Sequence, residues 1–269
     1  MSKEGGKGPS MTAQPSDHHG ELEYWCSKGA EELGIILNSE QKELFNNYFK
    51  LIVEGNKKIN LTRILTEKEA ALKHFVDSLA CLLVVPLEGS PQVADVGSGA
   101  GLPGIPLKIA RSGIFLSMIE SSKKKTDFLN DTVSRLGLSN TVTIYGRAEE
   151  VSHRKEYREQ FDCAFCRAVG PLTVIAEYCL GLVRVGGHMV ALKSRDAEVE
   201  AQECDQLLSL LGGSLKEIRR LVLPYLGHER TLIVIEKTHP TPLKYPRRSG
   251  MPKKRPIKIT KINSCIVKN

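Results

Sequence analysis

The chain has 269 residues, of which 41% are hydrophobic and 26% are charged, and its formal net charge is +7. This length allows one large domain with appendages, and the composition is ordinary for a soluble globular protein. The longest apolar run, residues 79–87, is about half as long as a membrane span of ~20 residues, and the N-terminus lacks the apolar stretch of a signal peptide. We therefore expect a cytoplasmic protein with no membrane segment.

The N-terminal part of the chain begins with residues 1–20, which are rich in Gly, Ser, Pro and Lys and are predicted to be disordered. Helical patterns follow. After the possible caps Asn38 and Ser39, apolar residues recur at helical spacing. These are Leu44, Phe45, Tyr48, Phe49, Leu51 and Ile52. We therefore expect an N-terminal helical region over residues 21–88.

A second helix in this region is predicted to begin at a capping box of Thr66 and Glu69. Helical periodicity over residues 72–83 places the apolar side chains on one face. His74 and Asp77 lie on the opposite face and are candidates for contact with a substrate. Alternatively, the two side chains form a hydrogen bond with each other that only fixes the helix.

From residue 89 to residue 240, short apolar runs alternate with helical patterns. The predicted strands cover residues 92–97, 115–121, 142–147, 162–168 and 188–194, followed by Leu215–Leu223 and Arg230–Lys237. The predicted helices lie near Leu102–Arg111, Lys123–Leu136, Pro171–Val185 and Arg195–Leu211. Apolar strands that alternate with helices favour a parallel sheet covered on both faces, and the short connection 224–229 permits only antiparallel pairing of the last two strands. We expect a Rossmann-like α/β fold with a seven-stranded, mostly parallel sheet that ends in an antiparallel hairpin.

The seven cysteines are an odd number scattered along the chain, which fits a reducing compartment better than a disulfide framework. Cys163 and Cys166 form a CxxC pair, but a structural zinc site would need a second pair of ligands at suitable spacing. The surrounding sequence instead predicts a buried strand, in which cysteine acts as a small hydrophobic residue. We therefore predict no metal site.

A glycine-rich loop follows the first predicted strand with the spacing D-x-G-x-G-x-G. It contains Asp95, Gly97, Ser98, Gly99 and Gly101. Glycine allows the backbone to turn sharply and a ligand to lie against its amides. In an open α/β sheet this loop lies at the carboxyl ends of the strands, where ligands bind. These residues are therefore candidates for a cofactor site.

The residues around the loop narrow the class of ligand, because two nucleotide-binding motifs do not match them. Leu102 stands where a dinucleotide-binding fingerprint requires glycine, and Ile105 stands where a P-loop requires lysine. Glu120 ends the second predicted strand, about twenty residues after the glycines, where a carboxylate can accept hydrogen bonds from ribose hydroxyls. Alternatively, Glu120 is a surface residue that opens the next helix.

The third and fourth predicted strands complete this arrangement. Ala148 and Glu149 follow the third strand, at the edge where an adenine would lie, and Arg167 ends the fourth strand. The order of these elements predicts a site for the methyl donor S-adenosylmethionine.

Six sequence segments carry a more specific resemblance. They are DVGSGAGLPGIPL, NLT at 60–62, KHFVDSL at 73–79, CRAVGPL at 166–172, GHERTLIVIEK at 227–237 and KYPRRSGMPKK at 244–254. Over roughly residues 35–256 the chain resembles the glucose-inhibited division protein B (RsmG/GidB) family, which implies a class I fold and S-adenosylmethionine-dependent methylation of guanine N7 in bacterial 16S ribosomal RNA. The resemblance places Gly97, Leu102, Ala148, Glu149 and Arg167 at cofactor-contact positions. One departure is Gly55, where family members often carry tryptophan, and this puts an aromatic contact there in doubt.

The expected chemistry needs few catalytic groups. Guanine N7 has an in-plane lone pair and no proton, so its methylation needs no general base, and orientation should dominate. The sequence lacks both the N/D-P-P-Y/F motif used on exocyclic amines and a Pro-Cys nucleophile. We expect His74, Asp77, Arg167 and Lys193 around the guanine. Lys193 could bind an RNA phosphate or the cofactor carboxylate, or could only flank its strand.

The basic charge is concentrated in a C-terminal tail, residues 241–269. From Lys244 onward there are nine Lys or Arg and no Asp or Glu, which leaves a net charge of −2 for residues 1–243. Pro246 and Pro252 disfavour helix, so we expect the tail to act by electrostatic contact with phosphates. Alternatively, the tail is a solvated, disordered terminus. The predicted RNA contacts are Arg230, Lys244, Arg247, Arg248, Lys253, Lys254 and Arg255.

The expected partner is 16S ribosomal RNA or a precursor of the small ribosomal subunit, bound by a monomer. Two other functions remain open at this point. One is methylation of another RNA atom or of a small molecule. The other is a non-catalytic RNA-binding assembly factor that keeps the methyltransferase fold.

Overall fold

A computed structural model describes residues 20–167, 169–194 and 197–257 of the chain. Residues 1–19, for which disorder is predicted, and residues 258–269 at the end of the basic tail lie outside this range. Within the described residues, no helix is long and apolar enough to cross a membrane.

The predicted seven-stranded sheet is confirmed. Its strands are β1 (Gln92–Val96), β2 (Phe115–Glu120), β3 (Thr141–Tyr145), β4 (Phe161–Arg167), β5 (Val183–Lys193), β6 (Gly213–Val222) and β7 (Glu229–Lys237). They are ordered β3-β2-β1-β4-β5-β7-β6. The first five strands are parallel, and β7 runs antiparallel to both β5 and β6. The carboxyl ends of β1 to β5 and the start of β7 therefore share one edge of the sheet.

Helices cover both faces of this sheet. They are α1 (Glu21–Glu32), α2 (Ser39–Asn56), α3 (residues 67–83), α4 (Gly104–Ala110), α5 (Lys123–Arg135), α6 (Ala148–Val151), α7 (Leu172–Cys179), α8 (Ala197–Gln202), α9 (Asp205–Leu210) and α10 (Met251–Lys254). Helix α3 is irregular, since it contains a π-helical turn at Ala71–Val76 and a 3₁₀ turn at Ala80–Leu83. Helices α1 to α5 pack in one core, and α6 to α9 pack in the other.

The alternation of side chains along each strand divides the residues between the two cores. Val93 of β1 and Cys163 of β4 belong to the core under α1 to α5, whereas Ala94 and Cys166 belong to the core under α6 to α9. The two cysteines of the CxxC pair thus lie on opposite faces of the sheet. Both are buried and free, and burial raises the pKa of the Cys163 thiol. The prediction of a buried strand is confirmed.

The caps that begin the N-terminal helices are only partly as predicted. Asn38 caps α2 in a reciprocal arrangement, in which its side chain accepts from the backbone N–H of Gln41 at 2.9 Å. The prediction of a capping box formed by Thr66 and Glu69 is wrong. The Thr66 hydroxyl donates to the carboxylate of Glu69 at 3.1 Å, and no side chain caps the backbone of α3 at this residue. A polar pair at the right spacing can bond to itself and leave the helix end uncapped.

The predicted helix Pro171–Val185 is too long. Helix α7 ends at Cys179, and β5 begins already at Val183 because this residue pairs with Phe161 of β4. An apolar run of this kind fits a buried helix or a buried strand equally well, so the neighbouring strand decides. The predicted helix over residues 195–211 is similarly replaced by two shorter helices, α8 and α9.

The largest correction concerns the C-terminal tail. The tail was expected to act by electrostatic contact or to be a solvated terminus, but Tyr245 is buried in the core under α6 to α9. Arg247 forms an ion pair with Glu177 of α7 at 2.7 Å. The backbone N–H of Gly250 donates to the Glu149 carboxylate at 2.8 Å. Pro252 lies in the first turn of α10, where its missing N–H costs no helical hydrogen bond. This part of the tail is packed against the sheet domain.

Candidate functional site

The glycine loop after β1 needs glycine for two different reasons. Gly97, Gly99 and Gly101 have φ angles of 75°, 59° and 97°, a region that side chains disfavour. A Cβ on Gly97 would meet Val169 at 2.7 Å, and one on Gly101 would clash with Ile105, whereas one on Gly99 would meet only the Gly97 carbonyl oxygen at 3.9 Å. Gly97 and Gly101 are therefore required by packing, and Gly99 faces the side from which a ligand can approach.

Asp95 lies beneath this loop and is fully buried. One carboxylate oxygen accepts from the backbone N–H of Gly104 at 3.0 Å, and the Ser98 hydroxyl donates to the Asp95 carbonyl at 2.9 Å. The other carboxylate oxygen has no hydrogen-bond partner among the described residues. Burial raises the pKa of the Asp95 carboxyl to about 7. Asp95 supports the loop from below, and Leu102 is buried as well.

Glu120 lies at the tip of β2, beside the glycine loop. One carboxylate oxygen accepts from the backbone N–H of Gly99 at 3.0 Å, and the other accepts from that of Ser122 at 2.8 Å. Glu120 is buried. These contacts exclude the alternative of a surface glutamate that merely opens the next helix.

A cavity of about 150 Å³ continues from the loop along the carboxyl ends of β2 and β3. It is lined by Val96, Gly97, Ile119, Ser121, Gly146, Arg147, Ala148, Glu149, Val169, Tyr178 and Lys253. Ala148 and Glu149 are thus brought beside Gly97, as expected. Sequence reasoning missed Tyr178, whose helix showed only an apolar pattern, and it assigned Lys253 to RNA. Lys253 reaches this cavity because the tail is packed here.

A larger cavity of about 450 Å³ lies at the ends of β4, β5 and β7. It is lined by Asp77, Arg167, Gly170, Leu192, Lys193, Ser194 and Arg230. The structure therefore brings together three of the four residues that were expected around the guanine, and it adds Arg230. The register of β5 and β7 pairs Lys193 with Thr231, which places Arg230 at this edge.

The charged groups of this cavity are held by one another. The buried carboxylate of Asp77 binds Arg167 at 3.2 Å and Arg230 at 2.8 Å. Lys193 donates to the carbonyl of Gly170 at 2.9 Å and pairs with Glu200 at 2.8 Å. One carboxylate orients both arginines but neutralises only one of their two charges. The three groups together therefore keep one positive charge.

His74 lies behind Arg167 and is buried. Its Nδ1 is 3.0 Å from an Arg167 nitrogen, which can only donate, so Nδ1 is the acceptor. Its Nε2–H therefore donates to the Thr62 hydroxyl at 2.8 Å. Burial and the Arg167 charge lower the pKa of His74 to about 4. His74 and Asp77 are joined through Arg167 and not by the direct hydrogen bond considered as an alternative.

The basic residues predicted to contact RNA divide into two groups. Arg247 is bound by the buried Glu177, Arg230 is bound by Asp77, and Lys253 lines the smaller cavity. Arg247 and Arg230 are therefore each held by a carboxylate, and Lys253 lies at the smaller cavity. The others are exposed and form no ion pair with any described residue; they are Lys244, Arg248, Lys254 and Arg255.

At Gly55 the sequence differs from the family pattern, and a side chain from another helix fills the space there. A Cβ on Gly55 would meet the Phe128 ring of α5 at 2.6 Å. Phe128 thus provides an aromatic contact at this place, and a larger residue than glycine would displace it.

The part of the chain that the structure describes contains no cluster of three or more His, Cys, Asp or Glu that could hold a metal ion. The polar groups at the two cavities are instead a carboxylate beside a glycine loop and a set of paired cations. Such a site suits an organic cofactor and an anionic or hydrogen-bonding substrate.

Comparisons with known proteins agree with this arrangement. Residues 41–231 match the family model described as rRNA small subunit methyltransferase G. The chain is 48% identical over 230 residues to the "Ribosomal RNA small subunit methyltransferase G" of Pelotomaculum thermopropionicum. The aligned region covers 86% of this chain and 96% of the relative. It is 44% identical to the protein of the same name from Lactobacillus helveticus, over 83% and 94% of the two chains. Among solved structures, the [4+2]-cyclase SpnF has a similar fold, with a TM-score of 0.51, 14% identity, and coverage of 75% and 97%.

Proposed function

The chain belongs to the rRNA small subunit methyltransferase G family, and we propose that it transfers a methyl group from S-adenosylmethionine to N7 of a guanine in 16S ribosomal RNA. The observation that carries the proposal is the state of His74. The glycine loop and the arginine cavity lie at one edge of the sheet, yet the histidine behind Arg167 has no nitrogen free to accept a proton from a substrate.

The residues of the smaller cavity fit S-adenosylmethionine, which supplies an electrophilic methyl group on its sulfonium when bound. Glu120 would hold the ribose hydroxyls from the tip of β2. The open side of Gly99 leaves space for the ligand against the loop backbone, and the cavity beside Ala148 and Glu149 would take the adenine. Val169, which packs on Gly97, limits this cavity to about 150 Å³, so the rest of the cofactor would lie over Gly99.

Replacing Glu120 by alanine is expected to weaken S-adenosylmethionine binding by roughly 1.5–3 kcal/mol, the range for a lost hydrogen bond to a charged group. Isothermal titration calorimetry measures this loss, and a urea unfolding curve shows whether the variant is folded. Glu88→Ala is a matched control, because it removes an exposed carboxylate at the opposite end of β1. Wild-type affinity in a folded Glu120→Ala protein would contradict the assignment.

The larger cavity is proposed to hold the guanine. Asp77 acts there as a positioning residue, since it fixes the guanidinium groups of Arg167 and Arg230. Arg167 donates to the carbonyls of Lys73 and His74, so few of its donors remain for a substrate. A cation directly against N7 would oppose the positive charge of the product. Lys193 and Arg230 are therefore better suited to bind RNA phosphates that position the base.

No proton has to be removed from N7, and no described residue at the cavity is free to act as a general base. Nδ1 of His74 is occupied by Arg167, and its Nε2–H is donated to Thr62. Asp77, the carboxylate among the described residues that line the cavity, is bound by two arginines. A ribose hydroxyl or an exocyclic amine would require a base, so this arrangement favours N7 over those targets.

The rate of methyl transfer is expected to change little between about pH 6 and pH 9 if N7 is the target. Single-turnover measurements with saturating S-adenosylmethionine and 16S rRNA would test this. A rate that rises with a basic pKa would indicate a hydroxyl or amine target and would contradict the N7 proposal.

The product is tested directly by incubating the protein with 16S rRNA, and separately with small ribosomal subunits, followed by nuclease digestion and mass spectrometry. We expect 7-methylguanosine in at least one of the two substrates. Methylation of a small molecule with unmodified RNA would support the alternative enzyme class. Cofactor binding with no product would support an assembly factor.

A further inference from the structure

Helix α5 begins with an unusual charge pattern. Its first turn contains Lys123, Lys124 and Lys125 and no acidic residue. The N-terminus of a helix carries a partial positive charge, so cations there are unfavourable. Lys123 pairs with Asp127, but Lys124 and Lys125 form no ion pair with any described residue. Local stability therefore does not account for these two lysines.

A second pair of lysines lies beside them. Helix α2 ends at Asn56, and Lys57 and Lys58 follow it, both exposed. Lys58 and Lys124 line one cavity of about 460 Å³ between α2 and α5. The ends of the two helices thus combine Lys57, Lys58, Lys124 and Lys125 into one group, the α2–α5 lysine cluster.

The acidic residues near this cluster are already paired. Glu54 and Asp131 both bind Arg135, at 3.0 and 3.4 Å, and Asp127 binds Lys123. None of the four clustered lysines forms an ion pair within the described ranges. The cluster therefore presents four positive charges without a direct ion-pair partner, of which Lys125 is half-buried and the others are exposed. Glu54 and Asp131 share one arginine, so one negative charge beside the cluster offsets part of this charge.

The position of the cluster relates it to the site. Helix α5 begins directly after Glu120, so Lys124 and Lys125 lie at the same edge of the sheet as the proposed cofactor site. On the other side, the Asn56 side chain accepts from the backbone N–H groups of Leu61 and Thr62 at 2.8 and 3.0 Å. This fixes the loop that leads from Lys57 to Thr62, the partner of His74.

The length of the loop also limits the distance between the cluster and Thr62. Five residues from Lys57 to Thr62 span at most ~18 Å when fully extended. Nucleotides in a helical strand are ~3.4 Å apart along the axis, so the distance from the cluster to Thr62 corresponds to at most about five nucleotides. The cavity of Arg167 lies beyond Thr62 and His74, so a strand whose guanine lies in this cavity can bring phosphates some nucleotides away to the cluster.

We propose that the α2–α5 lysine cluster binds phosphates of the RNA strand that flank the target guanine. This inference rests on the proposed function, since it assigns an RNA-binding surface to the same site. It adds an electrostatic contact at the ends of α2 and α5 to the exposed tail residues, which are Lys244, Arg248, Lys254 and Arg255.

The test measures the affinity for a 16S rRNA transcript as a function of salt concentration. Each lost phosphate contact lowers the slope of log K against log salt by about 0.7 for single-stranded RNA. Lys124→Gln/Lys125→Gln is expected to lower the slope by about 1.4, and the variant with all four lysines changed to Gln by about 2.8. The control Lys50→Gln/Lys155→Gln removes two exposed lysines outside the cluster and should leave the slope unchanged.

The thermal midpoint provides a second measurement. Because Lys124 and Lys125 oppose the helix dipole, their replacement by Gln is expected to raise the midpoint while it weakens RNA binding. A purely structural role would lower the midpoint. S-adenosylmethionine affinity should stay at the wild-type value.

Two outcomes overturn different statements. Normal RNA methylation with an unchanged salt slope in the cluster variants would overturn this inference alone. A wild-type protein that binds S-adenosylmethionine but neither binds nor methylates the transcript or the small subunit would overturn the proposed function, and this inference with it.

Discussion

Replacing Arg247 by alanine is expected to lower the free energy of unfolding by about 3–5 kcal/mol, the cost of breaking a buried ion pair from one side. The side chain of Glu177 is fully buried. Its two oxygens accept from Arg247 at 2.9 Å (Nε), 2.7 Å (Nη2) and 2.7 Å (backbone N–H). Without the guanidinium, a buried carboxylate keeps only a backbone partner. Urea unfolding monitored by circular dichroism measures the change.

Arg248→Ala is the matched control for this variant. Arg248 is the next residue, is exposed, and forms no ion pair within the described part of the chain, so its loss should change stability by less than about 0.5 kcal/mol. Equal stability of the two variants would mean that the tail does not depend on Glu177. The double variant Arg247→Met/Glu177→Met should recover part of the loss, since apolar residues of similar size remove the uncompensated charge.

Arg247→Ala is also expected to weaken S-adenosylmethionine binding, because the tail forms part of the proposed cofactor site. Gly250 donates to Glu149, and Lys253 lines the smaller cavity. Release of the tail would free the Glu149 side chain and open this wall. Calorimetry at a temperature where the variant is still folded separates the loss of affinity from the loss of stability.

Replacing His74 by glutamine is expected to change how stability depends on pH. The pKa of His74 is lowered from 6.5 to about 4 by burial and by Arg167. Between these pH values the unfolded chain binds a proton that the folded chain does not, so wild-type stability is lost as the pH falls from 6.5 to 4. The lowered pKa corresponds to about 3 kcal/mol. His74→Gln removes this loss, although it is less stable at neutral pH because a flexible amide does not reproduce the contacts of the two ring nitrogens with Arg167 and Thr62.

The measured quantity is the difference in unfolding free energy between wild type and variant at pH 7.5, 6, 5 and 4. This difference should shift by about 3 kcal/mol in favour of the variant towards pH 4. The difference is needed because the raised pKa of Asp95, about 7 through burial, acts with the opposite sign. The folded chain then binds the extra proton between pH 7 and pH 3.8, so stability rises as the pH falls in that range. A difference that is independent of pH would show that His74 titrates normally in the folded protein.

The sequence alone was sufficient to predict the α/β sheet, its parallel part and its final hairpin. These features follow from local patterns, since apolar alternation and short connections depend on neighbouring residues only. The positions of the glycine loop and of Glu120 were also predictable, because they follow from backbone turns and from the ends of strands. Asn38 was predicted as a helix cap because capping also depends on neighbouring residues only.

The tertiary structure alone decided which charged residues are available. Arg247 finds its carboxylate 70 residues away in Glu177, and Arg230 finds Asp77 at a separation of 153 residues. The sequence shows the sign of each charge but not its partner, so it could not separate the packed tail from the unpaired lysines at α2 and α5. It likewise could not show that His74 is neutral with both ring nitrogens occupied, because Arg167 and the burial that determine this state exist only in the folded chain.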